Sequence, residues 1–256
     1  MAFPPERIVC LTEETVETLY LLGQQHRIVG VSGYAVRPPG VRREKPRVSA
    51  FTSADIPKVM ALKPDLVLTF SDLQAEIAAA LLREGVAVHG FNQRGLAGIF
   101  DMIETLGALT RCGRAAQALT RGYRTRLDRL RSEAPARGLK VYFEEWDEPM
   151  ISGIGWVSEL IETTGARDVF APLAREQAAT GRIVTAAQVI DAAPDVILAS
   201  WCGKKVRPER IAARPGWQAI PAVAGNRIHE IKSPLILQPG PAALTDGLDA
   251  ILAALT

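Results

Sequence analysis

The chain has 256 residues, 48% of them hydrophobic, and 30 basic against 28 acidic residues give it a net charge of +2. That composition excludes a disordered chain and supplies no bulk positive field for nucleic acid. The length allows one large domain or two lobes. No apolar run reaches the roughly 18 to 20 residues of a membrane helix, so no membrane insertion is expected.

The first half reads as alternating strands and helices. Arg7–Leu11 is a short strand. The helix after it has Thr12 as N-cap, Glu13 and Glu14 in its first turn, apolar Val16, Leu19, Tyr20 and Leu22 at helical spacing, and Gly23 as its stop. Strands follow at Ile28–Ser32, Asp65–Phe70 and Ala87–Phe91, and helices at Asp55–Leu62 and Ser71–Glu84. Between them, Arg37–Arg47 is dense in proline and charge and reads as a long loop, neither helix nor central strand. His26 and His89 read as surface positions.

A long helix is expected over Gly113–Ala134, with Ala116, Leu119, Tyr123, Leu127, Leu130 and Ala134 on one side. Arg114, Arg121, Arg124, Arg126, Arg129 and Arg131 form a solvated face on the other. The pattern then restarts with a strand at Lys140–Glu144, a helix at Val157–Thr164, a helix ending at Val189–Ala192 and a strand at Asp195–Ser200. Val59–Asp72 (VMALKPDLVLTFSD) and Val189–Cys202 (VIDAAPDVILASWC) match position for position. This internal repeat predicts an α/β fold of two Rossmann-like lobes, residues 1–112 and 138–256, joined by a single long helix over residues 113–137.

Several residues in the second half carry chemistry. Glu144, Glu145, Asp147 and Glu148 lie within five positions, around Trp146, so a cation or basic partner is expected nearby. Alternation along the strand sends Glu144 and Glu145 to opposite faces, so one of them is expected in a pocket. After the second Pro-Asp strand, Trp201 offers a stacking face and Cys202 a soft ligand. Lys204, Lys205 and Arg207 are suited to carboxylates. Trp156 follows two glycines that permit close backbone approach to a ligand, and Gln238 sits in a proline-rich loop. Trp217 reads as a packing residue and His229 as a structural strand histidine.

The runs VGVSGY followed by Pro38-Pro39, RVSAFTSADIPKVMALKPDLVLTF, ISGIGWVSELIETTGARDVF and VTAAQVIDAAPDVILAS resemble the substrate-binding proteins of ABC importers for vitamin B12, haem and ferric siderophores, nearest the cobalamin-binding branch. The resemblance covers nearly the whole chain. It implies a class III periplasmic-binding-protein-like fold, a chelate held without covalent bonds in a cleft between lobes, and little hinge motion. It assigns ligand-covering aromatic roles to Tyr34 and Phe51. The second lobe departs: the family's tryptophan falls at Gly181, and its acidic residue near the last strand at Ser233 or Pro234. The importers dock through one carboxylate per lobe. Those positions hold Pro57 and Ala187, with Asp55 and Asp191 near but out of register.

The expected ligand set is therefore Tyr34, Phe51, Glu145, Trp146, Trp156, Trp201, Cys202, Lys204, Lys205, Arg207 and Gln238, with a corrinoid first and haem or a ferric siderophore next. No intrinsic cofactor is expected and no metal ligand set is defined. GxSxG, P-loop, GxGxxG and Cys-x-x-Cys motifs are absent, so no catalytic residues are expected. One competing reading is ordinary import, with the mature chain exported and an ABC permease as its partner; a second is an intracellular enzyme or metal-chelate handler using Cys202 and Glu145, with His229 as base. Another is an interaction protein that kept the fold and lost the ligand. Cys10, Cys112 and Cys202 fit a reducing compartment, and the N-terminus MAFPPERIVCL shows no signal segment. A native N-terminus would place the protein in the cytoplasm; a removed signal would place it in the periplasm.

Overall fold

In the computed structural model, residues 3–256 are described. The two residues before them, part of the stretch read for a signal segment, lie outside that range. The chain divides into two compact units. One comprises the chain up to Gln93 with Ala97–Arg121; the other comprises Arg94–Leu96 with Gly122–Thr256.

The first unit is built on five strands: β1 (Ile8–Cys10), β2 (Ile28–Ser32), β3 (Arg47–Ser49), β4 (Leu66–Phe70) and β5 (Ala87–Phe91). They lie in the order β3-β2-β1-β4-β5 and are parallel throughout, with Ile8 opposite both Ile28 and Leu66. Every residue of β4 is buried, as an apolar run covered on both faces requires. Helices α1 (Glu13–Leu21), α2 (Val41–Glu44), α3 (Ile56–Ala61), α4 (Ala75–Arg83) and α5 (Leu96–Leu109) connect or follow the strands. Val9, Leu11, Val59, Val67, Ile77 and Leu81 share one core.

Two expectations change here. The Arg37–Arg47 loop holds one helical turn, α2, entered through left-handed Gly40 (φ 98°). It fits because its residues lie between Pro39 and Pro46. His89 is a half-buried residue of β5, its ring 4.4 Å from that of Phe91, rather than a surface histidine. Helix α1 does stop at Gly23, which adopts φ 70° and donates to Tyr20 O.

Helix α6 spans Gly113–Glu133, one residue short of the expected span, and the division between the units falls within it. Arg114, Arg121, Arg124, Arg129 and Arg131 are exposed, as the pattern predicts. Arg126 is the exception: its guanidinium donates to Leu244 O at 3.1 Å and pairs with Asp249.

The second unit contains β6 (Lys140–Asp147), β7 (Met150–Ser152), β8 (Arg167–Asp168), β9 (Val196–Ala199) and β10 (Ile228–Glu230). The sheet order is β10-β9-β6-β7. β8 pairs in parallel with the start of β6 and β7 antiparallel with its end. Around the sheet run α7 (Gly155–Thr163), α8 (Ala186–Ala192), α9 (Pro208–Ala212), α10 (Pro221–Ala224), α11 (Ser233–Ile236) and α12 (Leu248–Leu255). Trp217, fully buried, packs edge-on against Tyr142 as the expected packing residue. Among the described residues, no helix is long and apolar enough to cross a membrane.

Candidate functional site

In an open parallel sheet, ligands are met outside the carboxyl ends of the strands, where the strand order reverses. In the first unit that point lies between β1 and β4. In the second it lies between β6 and β9.

At the first unit's reversal, the turn into α1 carries a buried polar chain. Thr12 is extended as an N-cap should be, yet its hydroxyl lies 3.1 Å from that of Thr15 instead of capping the helix. Thr15 also hydrogen-bonds the buried Cys10 thiol, and Thr12 the Glu14 carboxyl. Burial pushes Cys10 up to about 12. Glu17 is held by Arg37 at 2.8 Å. Gln74, buried beside β4, stitches three segments together: its amide nitrogen donates to Leu11 O (3.2 Å) and Phe51 O (2.7 Å), and its oxygen accepts from Phe70 N (3.0 Å). Gln74 thereby fixes the backbone of Phe51, which is half-buried. Tyr34 follows β2 and is 53% exposed, a large aromatic face open to solvent. Gly33, just before it, donates to Ser49 O at 2.7 Å; a Cβ there would meet that oxygen at 3.1 Å.

At the second unit's reversal, the acidic run resolves into four ion pairs. Glu144, fully buried, takes both terminal nitrogens of Arg214, one at 2.9 Å, and accepts from Trp201 Nε1 at 3.1 Å and Tyr142 OH at 3.2 Å. Glu145 takes Arg182 in the same bidentate way, at 2.6 and 3.0 Å. Asp147 pairs with Lys204, and exposed Glu148 lies 3.9 Å from Arg210. The expected basic partners are thus present, one for each acid. Burial pushes Asp147 up, but the Lys204 hydrogen bond and charge outweigh it and hold the carboxyl below its ordinary value. Burial, reinforced by Glu144, holds the Tyr142 phenol well above its ordinary value.

These contacts revise several expected roles. The carboxylate of Glu145 is bound by the buried Arg182 rather than open in a pocket. Trp201 is 3% exposed, and its ring is packed into the core beside Tyr142, Ile197 and Trp217. Trp156 is 3% exposed and donates to Ile236 O at 2.8 Å. The glycine before it admits the chain's own backbone: a Cβ on Gly155 would lie 2.2 Å from Arg94 O. Trp146 is half-buried, with the Lys204 ammonium 4.0 Å above its ring and 5.1 Å from Trp201. Lys204 is therefore a bridge between two indoles and Asp147. Cys202, Lys205 and Arg207 are exposed, Arg207 lying 3.7 Å from Glu209. Gln238 is half-buried, and its carbonyl accepts from Gly240 N.

Gln74, Arg182 and Arg214 were not singled out from the sequence, and Glu14 was read only as a first-turn acid. The isolated arginines gave no pattern, but the four clustered acids did require cations, and these are two of them. Elsewhere in the second unit, a cavity of about 620 Å³ opens beside α7 between Arg94, Glu159, Glu162 and Arg175, and holds none of the expected ligand residues. Among the described residues, no group of three or more His, Cys, Asp or Glu side chains is arranged to hold a metal ion.

Residues 8–235 match the family model described as periplasmic binding protein. The vitamin B12-binding protein of Vibrio cholerae is 29% identical over 173 residues, which are 66% of this chain and 62% of that protein. A crystal structure of the periplasmic vitamin B12-binding protein BtuF of Vibrio cholerae superposes with a TM-score of 0.77 at 25% identity, covering 99% of this chain and 98% of that one. A periplasmic haem-binding protein from Pseudomonas aeruginosa shares the fold, with a TM-score of 0.82 at 20% identity over 98% of this chain and 92% of that one.

Proposed function

Because the chain belongs to the periplasmic binding protein family, we propose that it binds a corrinoid or a similar metal chelate non-covalently at the carboxyl ends of its sheet strands. The observation that carries this reading is Tyr34: a large ring, 53% exposed, at the loop after β2, on a backbone fixed by the Gly33–Ser49 contact. Phe51, anchored through Gln74, adds a second partly open ring in the same unit. Flat apolar faces suit a macrocycle, since stacking and burial tolerate inexact polar register. The similarity to vitamin B12-binding proteins of Vibrio supports the corrinoid over other chelates.

The second unit supports a narrower role than its tryptophans promised. Trp156 and Trp201 are committed to the interior, which leaves Trp146 and the exposed Cys202, Lys205 and Arg207 as its ligand-facing candidates. Lys205 and Arg207 would suit a chelate with peripheral carboxylates, and haem is the alternative on that ground. Equilibrium dialysis against hydroxocobalamin and haemin decides between them.

The reading includes no docking of the kind family importers use. Pro57 on α3 and Ala187 on α8 are both exposed, and neither can offer a carboxylate to a permease arginine. Asp55 instead caps α3, accepting from Lys58 N at 3.0 Å. Tight binding of the purified protein to a vitamin B12 importer in detergent would overturn this part.

A further inference from the structure

Glu14 stands at the β1–α1 turn, beside the strand-order reversal of the first unit. It is 2% exposed, and its Oε1 has no hydrogen-bond partner. Buried polar atoms are nearly always satisfied, so an orphaned carboxyl oxygen at the ligand edge of a parallel sheet marks a missing partner. The rest of the local polar chain is matched: Cys10 to Thr15, Thr15 to Thr12, and Thr12 to Glu14 itself. Glu17, one helical turn on, is matched by Arg37.

We propose that Glu14 Oε1 hydrogen-bonds a peripheral primary amide of the bound ligand, and that this contact selects an amide-fringed macrocycle over a carboxylate-fringed one. The inference rests on the chelate-binding reading and specifies its ligand class. Burial, with Glu13 adjacent, pushes the Glu14 carboxyl up to about 8 against the lowering effect of the Thr12 hydrogen bond. A carboxyl that keeps its proton both donates and accepts, which matches the paired donor and acceptor of a primary amide. An incoming carboxylate would instead offer acceptors only, and would bring negative charge towards Glu13, whose charge already raises the Glu14 carboxyl. The corrin periphery carries amides; the haem periphery carries carboxylates.

The test is equilibrium dialysis of the wild-type chain, E14A and E14Q against hydroxocobalamin and against haemin, with thermal melts to confirm that each variant folds. The expected result is preference of the wild type for hydroxocobalamin. E14A should weaken that binding about tenfold, and E14Q, which keeps a donor and an acceptor, by no more than about threefold. Equal binding by all three proteins would overturn the inference while leaving the chelate reading intact, as would preference for haemin. If neither chelate binds, the chelate reading fails, and a ligand-independent arm decides Glu14. Its carboxyl carbon NMR resonance, assigned by its loss in E14Q, should move on titration with propionamide and not with propionate. No movement with propionamide overturns the inference.

Discussion

Asp65 and Asp195 make the same contact in their respective units. Each ends the Pro-Asp turn before a buried strand, β4 or β9. Asp65 accepts from Glu6 N and Arg7 N at 2.8 and 3.0 Å, and Asp195 from Lys140 N at 2.8 Å. In return, Asp65 N donates to Arg7 O and Asp195 N to Lys140 O. The residues before the prolines, Lys63 and Ala193, share a left-handed backbone with φ near 47° and 46°. A turn, a carboxylate and a neighbouring strand start thus recur as one device that sets strand register.

That device predicts a measurable cost. Hydrogen bonds from a carboxylate to backbone N–H groups contribute about 1.5–3 kcal/mol each when a charge is involved. D195A, which removes one such bond, should lose about that much stability in urea unfolding, and D65A, which removes two, should lose more. Losses under about 0.5 kcal/mol in both would show that the shared contact is incidental.

The four acid–base pairs of the second unit should differ sharply in worth. Glu144 is fully buried with Arg214 across it, so E144A strands a guanidinium and should cost about 3–5 kcal/mol. Glu148 is 84% exposed and 3.9 Å from Arg210, so E148A should change stability by less than about 0.5 kcal/mol. Chemical denaturation of both variants checks the contrast, and equal losses would refute it.

Glu14 should make stability depend on pH. Its carboxyl is raised by burial and by Glu13 from an ordinary 4.5 to about 8. Between those values the unfolded chain has released the proton while the folded chain still holds it, so the folded state binds more protons. The contribution is fully present below about pH 4.5 and is lost as pH rises through about 8. E14Q removes it. The unfolding free energy of E14Q relative to wild type should therefore rise with pH across that window; parallel pH profiles would contradict the assignment.

The three thiols should label in a fixed order. Cys202 is exposed, Cys112 half-buried and within 3.1 Å of the Thr110 hydroxyl, and Cys10 buried with its thiol pushed up to about 12. A thiol reagent should modify Cys202 first and Cys10 only on unfolding. Native-state labelling of Cys10 at the rate of Cys202 would show that the β1 edge opens readily.

The strands most legible in the sequence were those buried on both faces. Leu66–Phe70 and Val196–Ala199 are short apolar runs opened by Pro-Asp, and a continuous run needs no partner to be recognised. Helix α5 went unread because it is apolar almost all round, which erases the helical stripe. β3, β7 and β8 have three residues or fewer and are defined by their pairing rather than by their own pattern. In the site, the acidic run correctly required cations, but the sequence could not say which. Arg182 and Arg214 come from distant turns; Arg182 takes up the Glu145 carboxylate, and Trp201 lies in the core with its indole N–H on Glu144, the partner of Arg214. Tyr34 was identified through family resemblance, and its exposure follows from its place just beyond β2.

The most direct test of the account is equilibrium dialysis of the purified chain against hydroxocobalamin at about micromolar concentration, the scale on which a specific site registers. The account predicts uptake of one equivalent, weakened about tenfold or more when Tyr34 and Phe51 are both replaced by alanine. No uptake of hydroxocobalamin or haemin by a folded protein would contradict it.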